Sequence, residues 1–149
     1  MAIVLISAVL LTSCQDAKRT ELQLYKDNMT AFFENITALN TSINAIDKNA
    51  GDATDSLLSC LDALNQEFAT LSTFPVPDEF SSISDMTVDA ADSMQKAVEL
   101  YHKAYDGAYD AAAEADAYSY YERANRCIRV IRQVLNGEEP SVEGVTYQQ

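Results

Sequence analysis

The stretch Glu21–Ile46, ELQLYKDNMTAFFENITALNTSINAI, decides the fold. Within it Leu22, Tyr25, Met29, Phe32, Ile36, Leu39, Ile43 and Ile46 follow one another at alternating separations of three and four residues. That spacing places them on one face of a helix, the a/d seam of helix packing. Each such side chain gains about 1.5–3 kcal/mol on burial, comparable with the roughly 1–2 kcal/mol per residue lost in ordering the backbone. A helix over 17–47 is therefore expected, and it requires partners.

The same alternation continues downstream. Leu57, Leu61, Leu64, Phe68 and Leu71 predict a second helix over 54–73, set off by the turn Asp47-Lys48-Asn49-Ala50-Gly51-Asp52, in which Gly51 is free to take a positive φ. Phe74-Pro75-Val76-Pro77-Asp78 stops it, because proline lacks the helical donor and restricts the residue before it. A third seam, Ala90, Met94, Ala97, Tyr101, Ala104, Ala108 and Ala111, alternates small and larger residues. It stays in phase past Gly107, so the spacing predicts one helix over 84–113. Ala117, Tyr121, Ala124, Ile128, Ile131 and Leu135 predict a fourth helix over 117–136, begun by Asp116 or by the capping-box pair Ser119 and Glu122 and ended by Asn136-Gly137. Short connections imply antiparallel neighbours. The expected fold is all-α, an up-down-up-down four-helix bundle over 14–136 followed by a flexible polar tail over 137–149.

A chain of 149 residues suits one domain, and four glycines and three prolines are few for the turns of a β protein. The net charge is −13, and no charged residue precedes Asp16, so the negative charge lies on the body. Phosphates would be repelled, and no nucleic-acid partner is expected. An anionic membrane surface would repel the body as well, so membrane attachment has to be covalent or hydrophobic.

The run Ala2–Leu11, apolar apart from Ser7, leads into Leu10-Leu11-Thr12-Ser13-Cys14. It is about half the roughly 20 residues needed to cross a bilayer, and fits the h-region of a signal peptide. By composition alone it also fits a buried helix carrying an ordinary cysteine. Leu-Leu-Thr-Ser-Cys resembles the lipobox of bacterial lipoproteins. The resemblance implies a signal peptide over 1–13, a diacylglyceryl group on Cys14 as the first mature residue, and an extracytoplasmic, lipid-anchored location at a bacterial cell membrane. Two acyl chains supply the two signals that stable anchoring needs. The sequence departs from the pattern at Met1-Ala2, which lacks a basic n-region; a start further upstream would supply one. The resemblance covers this motif alone and brings no functional residue beyond Cys14.

Chemistry-bearing residues are sparse. Glu99-Leu100-Tyr101-His102 has the Glu-x-x-His spacing of di-iron bundles, but His102 is the single histidine and Glu99 is off the seam, so no metal or cofactor is expected. The chain has no Gly-rich phosphate loop, haem motif or nucleophile elbow, and no enzymatic activity is expected. Cys60 and Cys127 are either a disulfide or two buried thiols; on diagonal helices 2 and 4 they are poorly placed for a bond. Tyr105, Tyr109, Tyr120, Arg123, Arg126, Arg129 and Arg132 form a candidate ligand or partner surface, a groove between helices 3 and 4. The favoured reading has the rings filling space left by alanine and the arginines pairing with Asp85, Asp89 and Asp92. Asp52, Asp55, Asp106, Asp110, Glu114 and Asp116 gather at the end distal to Cys14, where they either meet a basic partner or form a solvated cap. Together these features predict a tethered bundle that acts through a protein or cell-envelope partner, with a small-ligand binding lipoprotein as the alternative.

Overall fold

The first seam folds as its spacing predicts from Tyr25 to Ile43, whereas Ile46 lies past the end of its helix at Asn44. Tyr25, Met29, Phe32 and Ile36 are buried on one face of helix α1 (Val9–Asn44), with Leu39 and Ile43 packed against the core. The computed structural model describes the backbone of residues 9–140 and the side chains of residues 16–140; residues 1–8 of the expected signal peptide, the Cys14 side chain and the tail from residue 141 lie outside these. Among the described residues the chain continues through α2 (Ala53–Leu71), a 3₁₀ segment (Asp78–Ile83), α3 (Ser84–Tyr105) and α4 (Ala111–Leu135).

Side-chain contacts fix the order of the helices around the bundle. Phe32 on α1 meets Phe68 on α2 edge to face at 5.5 Å, and Asn35 donates to Glu67 at 3.1 Å. Asp62 on α2 meets His102 on α3, and Asp89 on α3 meets Arg123 on α4. Tyr121 on α4 donates to Asn40 at 2.9 Å, while Arg132 lies 4.5 Å from the centre of the Phe33 ring, closing the circle on α1. Between α1 and α2, between α4 and α1, and between α3 and α4 through Asp89–Arg123 and Tyr105–Glu114, rising numbers on one helix meet falling numbers on the next, so these neighbours are antiparallel. The protein is an all-α four-helix bundle. Leu61, Leu64, Phe68, Leu71, Ile83, Met94 and Ile131 fill its centre at 2 % exposure or less.

The most extensive contact is between α3 and α4. Ala90, Ala97 and Ala104 on α3 and Ala113, Ala117 and Ala124 on α4 are all buried at 2 % or below. Methyl side chains leave little between the two backbones, so the helices approach closely. The bulk that the third and fourth seams need sits beside the alanines, in Tyr101, Tyr105 and Tyr121, which are half-buried.

Helix boundaries depart from the spacing in informative places. The third helix stops at Tyr105 and not near 113, and Ala108 and Ala111 are exposed. Asp110 leaves the helical region, with φ −113° and ψ 95°, and its carboxylate accepts hydrogen bonds from the backbone of Ala112 and Ala113, both at 3.0 Å. This cap satisfies two of the donors left open at a helix start. Gly107 beside it lowers the cost of interrupting the helix. Asp116 and Ser119, expected as caps, lie inside α4, where Ser119 bonds back to the Ala115 carbonyl. At the other end of the chain α1 begins at Val9, well before residue 17, and Thr20 is an interior residue bonded to the Asp16 carbonyl.

The connections also differ in detail. Gly51 does not use a positive φ; Asp47 organises that turn by accepting from the Asn49 backbone at 3.0 Å. Gly137 at the end of α4 does, with φ 73°, and the Glu138 N–H then reaches the Gln133 carbonyl. After Pro77 the chain forms a 3₁₀ turn that the proline pattern conceals, carrying Phe80 against Tyr25 and burying Ile83 completely.

Truncating Phe68 to alanine is expected to lower stability by about 3–5 kcal/mol in urea denaturation, whereas Leu24→Ala, at 56 % exposure, stays within about 0.5 kcal/mol of the parent. Cap position is tested separately by thermal unfolding. Asp110→Ala lowers the midpoint and Asp116→Ala leaves it unchanged; the reverse order would move the start of α4 back to residue 117.

Candidate functional site

The end of the bundle where α3 passes into α4 concentrates the polar side chains with defined partners. His102 stands in the last turn of α3, its Nδ1 2.8 Å from Asp106 and its Nε2 3.0 Å from Asp62 across on α2. The two carboxylates hold the imidazole pKa above its ordinary value through hydrogen bonds, first from Asp62 and then from Asp106. Lys103 reaches Asp110 at 3.5 Å, and the backbone N–H groups of α4 hold that carboxyl below the usual range.

Tyr101, Tyr105 and Tyr109 form a ladder along the same edge. The first two rings stack in parallel at 6.4 Å, and the next pair is tilted at 5.9 Å. Both Tyr105 and Tyr109 donate their hydroxyls to the one carboxylate of Glu114. These bonds hold Glu114 below the usual carboxylate range, while burial and the neighbouring charge push the Tyr105 phenol up. The clamp spans the turn, joining the end of α3 to the first turn of α4.

Of the expected acidic end, Asp106, Asp110 and Glu114 are thus each engaged by a named partner, while Asp52, Asp55 and Asp116 are exposed. Among the described residues no group of His, Cys, Asp and Glu is arranged to hold a metal ion. Glu99 is exposed, with its carboxylate turned to Gln95 and Lys96 and away from His102.

The proposed groove residues do not converge. Tyr105 and Tyr109 close on Glu114, Tyr120 is 40 % exposed, and Arg123 forks onto Asp89 with bonds of 2.8–3.1 Å. Arg126 is half-buried, Arg129 is exposed, and Arg132 stacks on Phe33 across the α1–α4 seam. From Glu114 to Arg132 these positions spread over roughly 27 Å of α4, at 1.5 Å per residue. Of the pairings expected with Asp85, Asp89 and Asp92, the ion pair found among the described residues is Arg123–Asp89. One cleft opens toward the start of α1, lined by Lys18, Leu22, Val76 and Pro77, and another lies between the middle of α1 and the end of α4, lined by Met29, Phe33, Arg132 and Leu135. The sequence reading missed Asp62 and Glu114 as partners; for Glu114 the signal was present in three tyrosines at four-residue spacing followed by an acid.

Cys60 and Cys127 are separate thiols. Cys60 lies near Asp62, level with His102, whereas Cys127 lies level with Asp89, so the two are roughly 20 Å apart along the axis at 1.5 Å per residue. That is well beyond the roughly 7 Å limit for a bridge. Cys127 is buried and points its thiol at Asp89, 3.6 Å away; burial and then the Asp89 charge push its pKa up to about 11.

In a Cys14→Ala background, a thiol reagent is expected to modify half-buried Cys60 in the native protein and Cys127 only on unfolding. Equal native rates at the two sites would contradict this assignment. No protein-family model matches the chain, and no similar curated protein or solved structure was found.

Proposed function

We propose that the protein is a non-enzymatic lipoprotein of the bacterial cell envelope, tethered through Cys14 and acting through contacts with a protein or envelope partner. The observation that carries the reading is Leu10-Leu11-Thr12-Ser13-Cys14 at the end of an apolar run too short to span a bilayer. No helix among the described residues is long and apolar enough to cross a membrane.

The state of the reactive side chains supports a non-catalytic role. The single histidine has both ring nitrogens on carboxylates, and the Cys127 thiol is buried against Asp89. Glu114 is occupied by two phenols, and Asp110 by a helix start. These groups are consumed in holding helices together. With the anchor at the start of α1, the antiparallel order sets the α1–α2 and α3–α4 turns at the opposite end, where a partner would meet them.

Expressed in a bacterial host, the parent chain is expected in the membrane fraction and labelled by a radioactive or clickable fatty acid. Cys14→Ala abolishes the label and releases the protein into the soluble fraction. Membrane retention of the unlabelled variant would overturn the proposal.

A further inference from the structure

The His102 site has a geometry that only one protonation state satisfies. Nε2 meets a carboxylate oxygen of Asp62 on α2, and Nδ1 meets one of Asp106, the residue that caps α3. A carboxylate only accepts hydrogen bonds, so both bonds form together only when both ring nitrogens carry protons. We propose that His102 is a proton-operated latch: the protonated ring ties α2 to the end of α3, and loss of one proton releases a tie and loosens the α3–α4 turn.

A neutral imidazole keeps one N–H. The other nitrogen then presents a lone pair to a carboxylate, turning one attraction into a repulsion. Whichever tie fails, the effect falls on the same place. Asp106 is where the helix ends, its N–H held by the His102 carbonyl at 2.8 Å, and the Asp110 N–H returns to Ala104 at 3.1 Å. The ring and the turn are therefore mechanically adjacent.

The surrounding charges leave the ring to its two carboxylates. From α2 it faces Asp62, and from the end of α3 it faces Asp106; these are the two charges that act on it. Glu99, one turn earlier, is engaged with Gln95 and Lys96, and Lys103 turns to Asp110 at the start of α4. The two nitrogens point to opposite sides of the ring, so the arrangement does not converge on a metal ion.

The sign of the effect follows from the direction of the shift. The folded pKa lies above the ordinary 6.5, so the latch stabilises fully below 6.5 and its contribution disappears as pH rises through the folded value. The group is about a third exposed, which keeps the effect to that of a screened surface pair. The latch is thus closed at pH 6.5 and open above the folded pKa.

Because His102 is the single histidine, its ring protons can be followed in the full chain by NMR without ambiguity. The midpoint is expected above 6.5, with Asp62→Asn and Asp106→Asn each bringing it back toward 6.5. Across that midpoint, hydrogen-exchange protection of the Asp106 and Asp110 amides should fall by about two- to fivefold, the range for exposed ion pairs. His102→Gln, which carries no titrating ring, should show a constant, low protection over the same pH range. A midpoint at or below 6.5, or the same pH-dependent loss in His102→Gln, would overturn the proposal.

Discussion

Close approach of α3 and α4 through alanine is the constraint on which the other placements depend. Six alanines at 2 % exposure or less leave no room for large side chains between these helices. Aromatic bulk is displaced to the edges of the pair, where Tyr101, Tyr105 and Tyr121 are half-buried and their hydroxyls need partners. Two of those needs are met at a distance, by Asn40 on α1 and by Glu114 past the turn. The tyrosine enrichment, the clamp on Glu114 and one of the ties that bring α1 to α4 thus follow from a choice of methyl groups along one seam.

Seam positions were legible in the sequence because burial imposes a period that a helix cannot hide. Met29, Phe32, Leu64, Phe68, Met94 and Ile131 all lie where the three-and-four spacing sets them. Breaks were less legible. Ala108 and Ala111 keep the phase of the third seam although both are exposed, since alanine is equally at home in a core and in a loop or first turn. The decisive residue was Asp110, whose carboxylate replaces two missing backbone acceptors, and nothing in spacing alone distinguishes it from Asp116. Partners across helices were legible only where residue type narrowed the choice. Arginine 123 found one of three expected aspartates, whereas Asp62 could be matched to His102 only once the register of α2 against α3 was known.

The polar contacts differ along the axis. Toward the start of α1, cations lie over aromatic rings, Arg132 over Phe33 and Lys26 over Phe80, beside the exposed ion pair Lys18–Asp78. Toward the α3–α4 turn, carboxylates carry the donors: Asp62 and Asp106 on His102, Asp110 on Lys103 and Glu114 on the tyrosines. Contacts of the first kind change little with protonation at neutral pH, because arginine and lysine stay charged there. Those of the second kind include His102, whose two carboxylate partners hold its pKa above the ordinary value.

The unbroken backbone of α1 from Val9 through Cys14 into the core has an angular meaning. A disordered leash transmits distance but no direction, whereas an α-helix turns by about 100° at every residue and keeps that phase along its length. The backbone at Cys14 therefore keeps a fixed bearing relative to the backbone at Tyr25 and Met29. Inserting a single residue between Cys14 and Leu22 would lengthen the rod by only about 1.5 Å yet swing that bearing by more than a quarter of a circle.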